Sequence, residues 1–373
     1  MSDVTPHDLV VVKLGSSILV DAAGAPDRAF IRDLCMQVVS LKQAGYDVAI
    51  VSSGAAACGW ERLGFSSRPK DLPSLQACAA AGQALLTETY AEVLQEFGIP
   101  CGQVLVTRRD VMDREGYLNA RNTLARLLEL GAVPVINEND TVSVAEFTFG
   151  DNDMLGAIVS TLLGASRYVI LSDVEGLYDA DPTSNPDACL ISRLEGVSPE
   201  DMQMAGGSSS LVGTGGMASK LRAARAVLTA GIPCTICLGR RPGVLEDLMG
   251  GKQVGTDIVP GPSTPRESGR KLWIGLAGVA QGSVTLDEGA REAVLERGAS
   301  VLPVGIAGVN GSFEAGDVID VLGPDGLLVG RGVTHYSSAA LERVRGLKLD
   351  VIARFSPDGD ARPCIHRDEL LVF

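Results

Sequence analysis

The chain has 373 residues, of which 46% are hydrophobic, 21% charged and only 4% aromatic, and its formal net charge is −14. A chain of this length can bury a large core and is typical of two domains. The acidic charge and the scarcity of aromatic side chains argue against nucleic-acid binding, which relies on cationic surfaces and stacking platforms.

The cysteines and the N-terminal segment predict a reducing, cytoplasmic setting. The 8 cysteines are scattered without the spacing of a disulfide framework. Cys234 and Cys237 form one C-x-x-C pair inside an apolar run, which favours a buried strand. A metal or redox pair is the alternative, although no histidine lies near it in the sequence. Residues 1–8 lack a basic and an apolar region, so we expect no signal peptide, and no apolar run predicts a membrane span.

Short apolar, β-rich runs alternate with helical patterns through residues 1–258, which we predict to be the catalytic domain. The predicted strands are Leu9–Leu14, Val48–Val51, Val104–Val106, Val133–Ile136, Tyr168–Leu171 and Thr235–Leu238. The predicted helices are Asp27–Gln43, Pro73–Phe97, Asn119–Leu130, Asp153–Leu163 and Met217–Ala230. This alternation predicts βαβ units, and therefore an α/β fold with a largely parallel sheet.

The composition changes after residue 258. Residues 259–270 are rich in proline and glycine and predict a linker. Residues 271–373 predict a small β-rich domain, with strands at Trp273–Gly275, Ser283–Leu286, Val301–Ile306, Asp317–Leu322 and Leu327–Val333 and helices at Glu288–Arg297 and Ser338–Arg345. That domain has 10 Lys and Arg against 14 Asp and Glu, a net charge of −4, which disfavours RNA binding.

Five polar or glycine-rich loops follow predicted strands or open predicted helices, at the edge where a parallel sheet binds ligands. They are Lys13–Ser17, Ser52–Ala56, Asn137–Asp140, Gly150–Asp153 and Gly213–Lys220. Each has a purely structural explanation when taken alone: a snorkelling lysine, a helix N-cap, an Asx turn or a flexible loop. Their order and composition together are what indicates a function.

Two of these loops predict a phosphate site. Lys13 ends a buried strand, where an ammonium group needs an anion, and Gly15 lets backbone amides approach a phosphate. Glycines also precede the helix that carries Lys220, although the Walker A spacing is absent. Two lysines from separate loops can bracket a phosphoryl group during transfer.

The remaining loops predict the acceptor. Asn137–Asp140 and Asp151–Asp153 supply amides and carboxylates, which can hold an ammonium and a carboxylate together. No histidine occurs in the five loops. A hydroxyl acceptor usually needs a base, whereas a side-chain carboxylate with a pKa of about 4.3 is already ionised at neutral pH. The residues therefore favour a kinase that forms an acyl phosphate over an alcohol kinase.

Six sequence segments resemble a known family. They are K-L-G-S-S, V-S-S-G-A, P-V-I-N-E-N-D, G-D-N-D, L-S-D-V-E-G-L-Y-D-A-D-P and G-T-G-G-M-A-S-K, in this order. Together they resemble the amino acid kinase family, and N-E-N-D followed by G-D-N-D resembles its glutamate-phosphorylating members. Residues 271–373 are similar to a PUA domain, so the resemblance covers essentially the whole chain. One small departure is Ala218-Ser219, where the family often has a polar residue and then Thr; the hydroxyl is kept.

The resemblance implies a three-layer αβα sandwich with a mainly parallel central sheet, followed by a small β-rich barrel. It also implies ATP-dependent phosphorylation of the L-glutamate side-chain carboxylate to L-glutamyl 5-phosphate, the first step of proline biosynthesis. Mg²⁺ is expected through the ATP phosphates rather than on protein ligands. The resemblance further implies a cytoplasmic homo-oligomer, dimer or tetramer, with proline as feedback inhibitor. The alternatives are a kinase for aspartate or N-acetylglutamate, and an RNA-binding protein.

The resemblance assigns roles to three sets of residues. The implied catalytic residues are Lys13, Lys220 and Asp153. The implied ATP-binding residues are Lys13, Gly15, Ser172, Asp173, Thr214, Gly215, Gly216, Met217, Ala218, Ser219 and Lys220. The implied glutamate-binding residues are Ser53, Gly54, Asn137, Asp140, Asp151 and Asn152.

Overall fold

The chain divides into two compact units, Met1–Arg266 and Glu267–Phe373. The computed structural model describes residues 8–21, 24–107, 110–111, 114–143, 152–182, 184–206, 216–261, 280–355 and 362–372. The predicted domain boundaries at 258 and 270 stay a prediction. Most of the predicted linker, and the predicted strand Trp273–Gly275, lie outside the described residues.

An 8-stranded sheet forms the centre of the first unit. Its strands are β1 (Leu9–Leu14), β2 (Asp47–Val51), β3 (Cys101–Val106), β4 (Val133–Glu138), β5 (Arg167–Ser172), β6 (Arg193–Glu195), β7 (Cys234–Leu238) and β8 (Thr256–Val259). Their spatial order is β3-β4-β2-β1-β5-β7-β8-β6. Neighbouring strands run parallel except β7 and β8, which are antiparallel. The predicted α/β class with a mainly parallel sheet is confirmed, whereas β6 and β8 were not predicted.

Helices cover this sheet. They are α1 (Ser16–Leu19), α2 (Arg28–Gln43), α3 (Ala55–Gly59), α4 (Leu72–Glu96), α5 (Arg114–Glu129), α6 (Asn152–Leu163), α7 (Pro199–Gly206), α8 (Met217–Leu228) and α9 (Val244–Met249). Helix α2 packs on α4 and α9, and α6 packs on α5 and α8. Side-chain caps start two of them: Asp27 accepts from the Phe30 N–H, and Asp71 from the Ser74 N–H. Within the described residues, no helix combines the length and the apolar character that crossing a bilayer requires.

Strand β1 shows how the sheet separates the two helical layers. Val10, Val12 and Leu14 belong to the core that the sheet shares with α2 and α4. Successive side chains of a strand point to opposite faces. Lys13 therefore points to the other face, where its ammonium group meets Asp153 of α6.

Several predicted boundaries in the first unit were wrong, among them the start of β3, which lies at Cys101 rather than at Val104. Strand β4 continues past Ile136, because Asn137 and Glu138 still pair with β3 and are buried. Helix α5 begins at Arg114 rather than at Asn119. The prediction missed this start because the first turn of the helix is polar and shows no apolar periodicity. Cys234 and Cys237 lie buried in β7, as the apolar run predicts, and neither forms a disulfide.

The second unit contains a 5-stranded sheet in the order β10-β9-β11-β12-β13. The strands are β9 (Gly282–Leu286), β10 (Ile306–Gly311), β11 (Val318–Leu322), β12 (Leu328–Thr334) and β13 (Ile365–Val372), and the helices are α10 (Glu288–Arg297), α11 (Ser338–Val344) and α12 (Leu349–Phe355). The predicted strand Val301–Ile306 is wrong. Pro303 starts a 3₁₀ turn there, since it has no N–H for a ladder and its φ is fixed.

A close backbone contact holds α3 against α4. A Cβ atom on Gly59 would lie 1.8 Å from the Cys78 carbonyl oxygen, and one on Gly82 would lie 1.9 Å from the Ala55 carbonyl oxygen. Only glycine fits at either position. Because α3 follows the loop after β2, this contact fixes that loop relative to α4.

We expect Gly82→Ala to lower the free energy of unfolding by about 1–3 kcal/mol, since the added methyl forces the two helices apart. The higher helix propensity of alanine offsets at most about 1 kcal/mol of that loss. Urea unfolding followed by circular dichroism measures the change. The control is Ala77→Ser on the exposed face of the same helix, expected within about 0.5 kcal/mol of wild type. Equal stability of the Gly82→Ala variant and wild type would contradict the close packing.

Candidate active site

A cavity of about 480 Å³ opens at the carboxyl ends of β1, β2, β4 and β5. Three cationic side chains line it: Lys13, Arg68 and Lys220. Its acidic lining residues are Glu138, Asp140 and Asp173, and its uncharged polar ones include Ser53, Asn137, Asn152 and Ser172. The volume and the mixture of converging polar groups are typical of a small-molecule site.

Lys13 and Lys220, which both line this cavity, meet on one carboxylate that is buried and does not itself line it. The Lys13 ammonium group forms an ion pair with Asp153 Oδ1, and Lys220 Nζ lies 3.7 Å from Asp153 Oδ2. The lysines are only 5% and 6% exposed, and Asp153 is fully buried at 0%. Two ammonium groups therefore share one buried carboxylate. A buried excess of positive charge is costly in free energy unless an anion joins it.

Asp153 is held at both its side chain and its backbone. The Ser219 hydroxyl, in the first turn of α8, donates to Asp153 Oδ2 at 3.2 Å. The Tyr168 hydroxyl of β5 donates to the Asp153 carbonyl oxygen at 2.7 Å. Tyr168 lies directly against Gly156, where a Cβ atom would come within 2.3 Å of the phenol oxygen. The glycine thus lets the sheet fix the start of α6, and with it the carboxylate.

Asn152 joins the ends of three elements next to the ion pairs. Its side-chain amide donates to the Ser52 carbonyl oxygen at 2.7 Å, to Ser53 Oγ at 3.0 Å and to Asn137 Oδ1 at 2.8 Å. The Asn137 amide donates in turn to Gln83 Oε1 of α4 at 2.7 Å. We call these four side chains, Ser53, Gln83, Asn137 and Asn152, the amide cluster. It ties β2, β4, α4 and α6 together at the wall of the cavity.

A second polar group lies beyond the amide cluster. The Ser143 hydroxyl donates to Glu138 Oε1 at 2.9 Å, and the Gln76 amide donates to the Ser143 carbonyl oxygen at 2.9 Å. Asp140 is half-buried in this region. Burial raises the pKa of the Asp140 carboxyl, and the positive charge of Arg68 opposes that rise. This wall of the cavity is therefore acidic, with one cation beside it.

The ends of β5 and α8 form the other wall. The Ser172 hydroxyl donates to Asp173 Oδ1 at 3.0 Å. Burial works to raise the pKa of the Asp173 carboxyl, but hydrogen bonds from Ser172, the backbone and Ser17, together with the charge of Lys220, lower it overall. Gly216 precedes the first turn of α8. The N–H groups of a helix's first turn have no partner within the helix and attract anions.

The structure places most of the predicted site residues around this cavity. Those that line it are Lys13, Gly15, Ser53, Gly54, Asn137, Asp140, Asn152, Ser172, Asp173 and Lys220. Gly216, Met217, Ala218 and Ser219 form the beginning of α8, and Ser219 contacts Asp153. Asp151, Thr214 and Gly215 lie outside the described residues. The roles assigned to these residues stay predictions.

Sequence reasoning missed five polar residues of this region: Arg68, Gln76, Gln83, Glu138 and Ser143. Gln83 had a usable signal, because it is a polar residue in the middle of an Ala- and Leu-rich helix and is buried. Glu138 belongs to the N-E-N-D segment, but the sequence analysis assigned it no role. Arg68 gave no signal, since a single arginine before a proline is typical of a solvent-exposed loop.

Comparisons with known proteins agree with the fold. The model of the amino acid kinase family matches residues 8–237, and that of the PUA domain matches residues 282–355. Among solved structures, the carbamate kinase from Giardia lamblia bound to AMP-PNP is similar, with a TM-score of 0.50, 17% identity, and coverage of 68% of this chain and 99% of that one. At this identity the similarity concerns the fold alone.

Curated relatives are similar over nearly the whole length. The chain is 43% identical over 363 residues to the glutamate 5-kinase of Pelobacter propionicus, with 97% of each chain covered. It is 44% identical over 364 residues to the glutamate 5-kinase of Geobacter sp. strain M21, again with 97% of each covered. The glutamate 5-kinase of Herpetosiphon aurantiacus is 41% identical over 367 residues, covering 98% of this chain and 99% of that one. With the family model matching most of the chain, the protein belongs to the amino acid kinase family.

Proposed function

We propose that this chain transfers the γ-phosphoryl group of ATP to the side-chain carboxylate of L-glutamate, giving L-glutamyl 5-phosphate and ADP. The observation that carries the proposal is that Lys13 and Lys220, which line one cavity, converge on the buried carboxylate of Asp153. The similarity to glutamate 5-kinases over 97% of the chain supports glutamate rather than aspartate or N-acetylglutamate as the acceptor. This reaction is the first step of proline biosynthesis.

The reaction brings two anions together. A carboxylate oxygen of glutamate attacks the γ-phosphorus, the new O–P bond forms, and the bond to the bridging oxygen of ADP breaks. No proton has to leave the acceptor, because the carboxylate is ionised at neutral pH. The work left to the protein is positioning and charge neutralisation. Lys13 and Lys220 supply that positive charge, and Asp153 positions both of them.

Mg²⁺ fits the site as a companion of ATP. Among the described residues, no group of three His, Cys, Asp or Glu side chains could hold a metal ion by itself. One carboxylate, that of Asp173, lines the wall formed by the ends of β5 and α8, where we propose that ATP binds. Mg²⁺ commonly binds through one or two carboxylates together with substrate phosphates, so this wall suits it. When bound, the ion adds positive charge at the phosphates.

We propose that glutamate binds at the opposite wall, which carries the amide cluster and Asp140. The amide cluster is already linked by hydrogen bonds at 2.7–3.0 Å, so its groups need little reordering when a ligand arrives. Gly54 adopts a left-handed φ of 86°, which turns the backbone after Ser53 into α3. Asp140 supplies a negative charge for the substrate ammonium group.

The remaining features of the proposal rest on the family resemblance. We propose a cytoplasmic homo-oligomer, a dimer or tetramer, that proline inhibits by feedback. For the PUA domain we propose a regulatory or assembly role, since its net charge of −4 is a poor match for RNA. Salt-dependent, tight RNA binding by the full chain would instead favour the RNA-binding alternative.

The acceptor is tested by trapping the acyl phosphate. Purified protein with ATP, Mg²⁺ and hydroxylamine is expected to form a hydroxamate from L-glutamate at a rate at least about 100-fold above that from aspartate or N-acetylglutamate, because a site with built-in polar partners rejects a poorly matched substrate strongly. The measurement is the colour of the ferric hydroxamate complex. A higher rate with another acceptor would refute glutamate as the substrate.

Lys220→Ala should lower kcat by about 10²–10³-fold, since it removes positive charge that stabilises the transition state. Steady-state kinetics with the hydroxamate assay measure this, and circular dichroism checks the fold. The control is Lys252→Ala, which removes an exposed lysine that pairs with Asp247 and does not line the cavity. If kcat of the Lys220→Ala variant stayed within about threefold of wild type, the assignment of this lysine would be wrong.

Asp140→Asn should mainly raise the KM for glutamate, by about 10–100-fold, since a charge-assisted hydrogen bond to the ammonium group becomes a neutral one. The KM for ATP is expected to stay within about twofold, because Asp140 lies on the wall away from α8. The control is Asp187→Asn at an exposed loop position. Equal increases in both KM values would show a general distortion of the site instead.

A further inference from the structure

Arg68 is the one cavity-lining cation of the described residues that does not meet Asp153. Lys13 and Lys220 are buried around that carboxylate, whereas Arg68 lies exposed in the loop between a 3₁₀ turn at Glu61–Leu63 and helix α4. The cavity therefore has positive charge at two separate places. The phosphoryl chemistry accounts for only one of them.

The guanidinium group of Arg68 is available to a ligand. Among the described residues, the structure gives it no hydrogen bond and no ion pair, although it lines the cavity. Its charge nevertheless reaches the acidic wall, because it opposes the rise in the pKa of Asp140. Two local features define its position: Pro69 restricts the backbone of Arg68 to extended conformations, and Asp71 caps α4 two residues further on.

The chemistry of the acceptor requires such a group. Glutamate carries two carboxylates, and only the side-chain one reacts between Lys13 and Lys220. Its ammonium group is attracted to the acidic wall formed by Glu138 and Asp140, but the α-carboxylate next to that ammonium would be repelled by the same wall. A guanidinium group binds a carboxylate through two parallel N–H donors and offsets this repulsion.

We propose that Arg68 binds the α-carboxylate of the amino acid substrate and so selects acceptors that carry both charged groups of a free amino acid. This rests on the proposed glutamate kinase function. It assigns the two ends of the cavity: phosphoryl transfer at the buried lysines, and recognition of the α-amino acid group at Arg68 and Asp140. Arg68 is a specificity-determining residue in this scheme and does not touch the phosphoryl group.

The test compares wild type with Arg68→Gln, Arg68→Lys and the control Arg62→Gln, an exposed arginine of the same segment outside the cavity lining. Arg68→Gln should raise the KM for glutamate by about 10–100-fold, the effect of losing a bidentate charged pair, while kcat and the KM for ATP stay within about threefold. Arg68→Lys should restore part of the affinity for glutamate, because it keeps the positive charge but cannot donate two parallel N–H bonds. Arg62→Gln should match wild type. A change below about threefold in the glutamate KM of Arg68→Gln, or an equal rise in the KM for ATP, would overturn the proposal.

A substrate analogue shows which group of glutamate Arg68 contacts. 4-Aminobutyrate is glutamate without the α-carboxylate, and it is tested as a competitive inhibitor against glutamate. It should inhibit wild type and Arg68→Gln equally weakly, or neither of them. Inhibition that weakens in the variant in parallel with glutamate would overturn the proposal, since Arg68 would then act on another part of the ligand. Failure of the proposed function itself is distinguishable, because wild type would then form no hydroxamate from glutamate.

Discussion

The site depends on one buried carboxylate that two lysines share. Lys13 lies next to the end of β1 and Lys220 in the first turn of α8, and Asp153 pairs with both ammonium groups. Removing one partner of a buried ion pair commonly costs about 3–5 kcal/mol, because the remaining charge is left uncompensated. The hydrogen bond from Tyr168 and the missing side chain at Gly156 serve the same end. They fix the backbone that presents the carboxylate.

The charge of this cluster is opposite to that of the whole chain. The formal net charge is −14, yet the buried cluster has two ammonium groups and one carboxylate. An acidic surface repels large polyanions but has little effect on a buried site at close range, since exposed charges are screened over about 10 Å at moderate ionic strength. The local excess of positive charge is therefore available to small anions that enter the cavity. Phosphoryl transfer to a carboxylate requires such an environment, because both reactants are negative.

The sequence predicted the frame of the first unit better than the contacts within the site. Both ends of β1 were predicted correctly, because its mostly apolar run lies between polar segments. Strands β6 and β8 are short and partly exposed, and give no such pattern. The two lysines could be identified because a lysine is out of place at the end of a buried strand or after a row of glycines. Their common partner was named only through the family resemblance, since nothing local to residue 153 distinguishes it from a helix cap.

Three of the five residues that could not be predicted, Arg68, Gln76 and Gln83, lie on α4 or just before it, so their part in the site depends on where that helix packs. Gln83 accepts a hydrogen bond from Asn137 and follows Gly82, where α4 makes backbone contact with α3. Gln76 and Arg68 reach the cavity because the same helix starts at its mouth. No local pattern encodes a contact between residues more than fifty positions apart in the chain, such as that of Gln83 with Asn137.

In the scheme proposed above, the two tasks of the cavity fall to two parts of the fold. The phosphoryl end is built from β1, α6 and α8, which are tied together through Asp153. The amino acid end is built largely from α4, the loop before it and the end of β4. A substitution in the segment from Arg68 to Gln83 can therefore alter which acceptor binds while the lysines and their carboxylate keep their geometry. The amide cluster links the two ends, because Asn152, which donates to Ser53 and Asn137, immediately precedes Asp153 on α6. In that scheme, this link would hold an acceptor at one end in register with the phosphoryl group at the other.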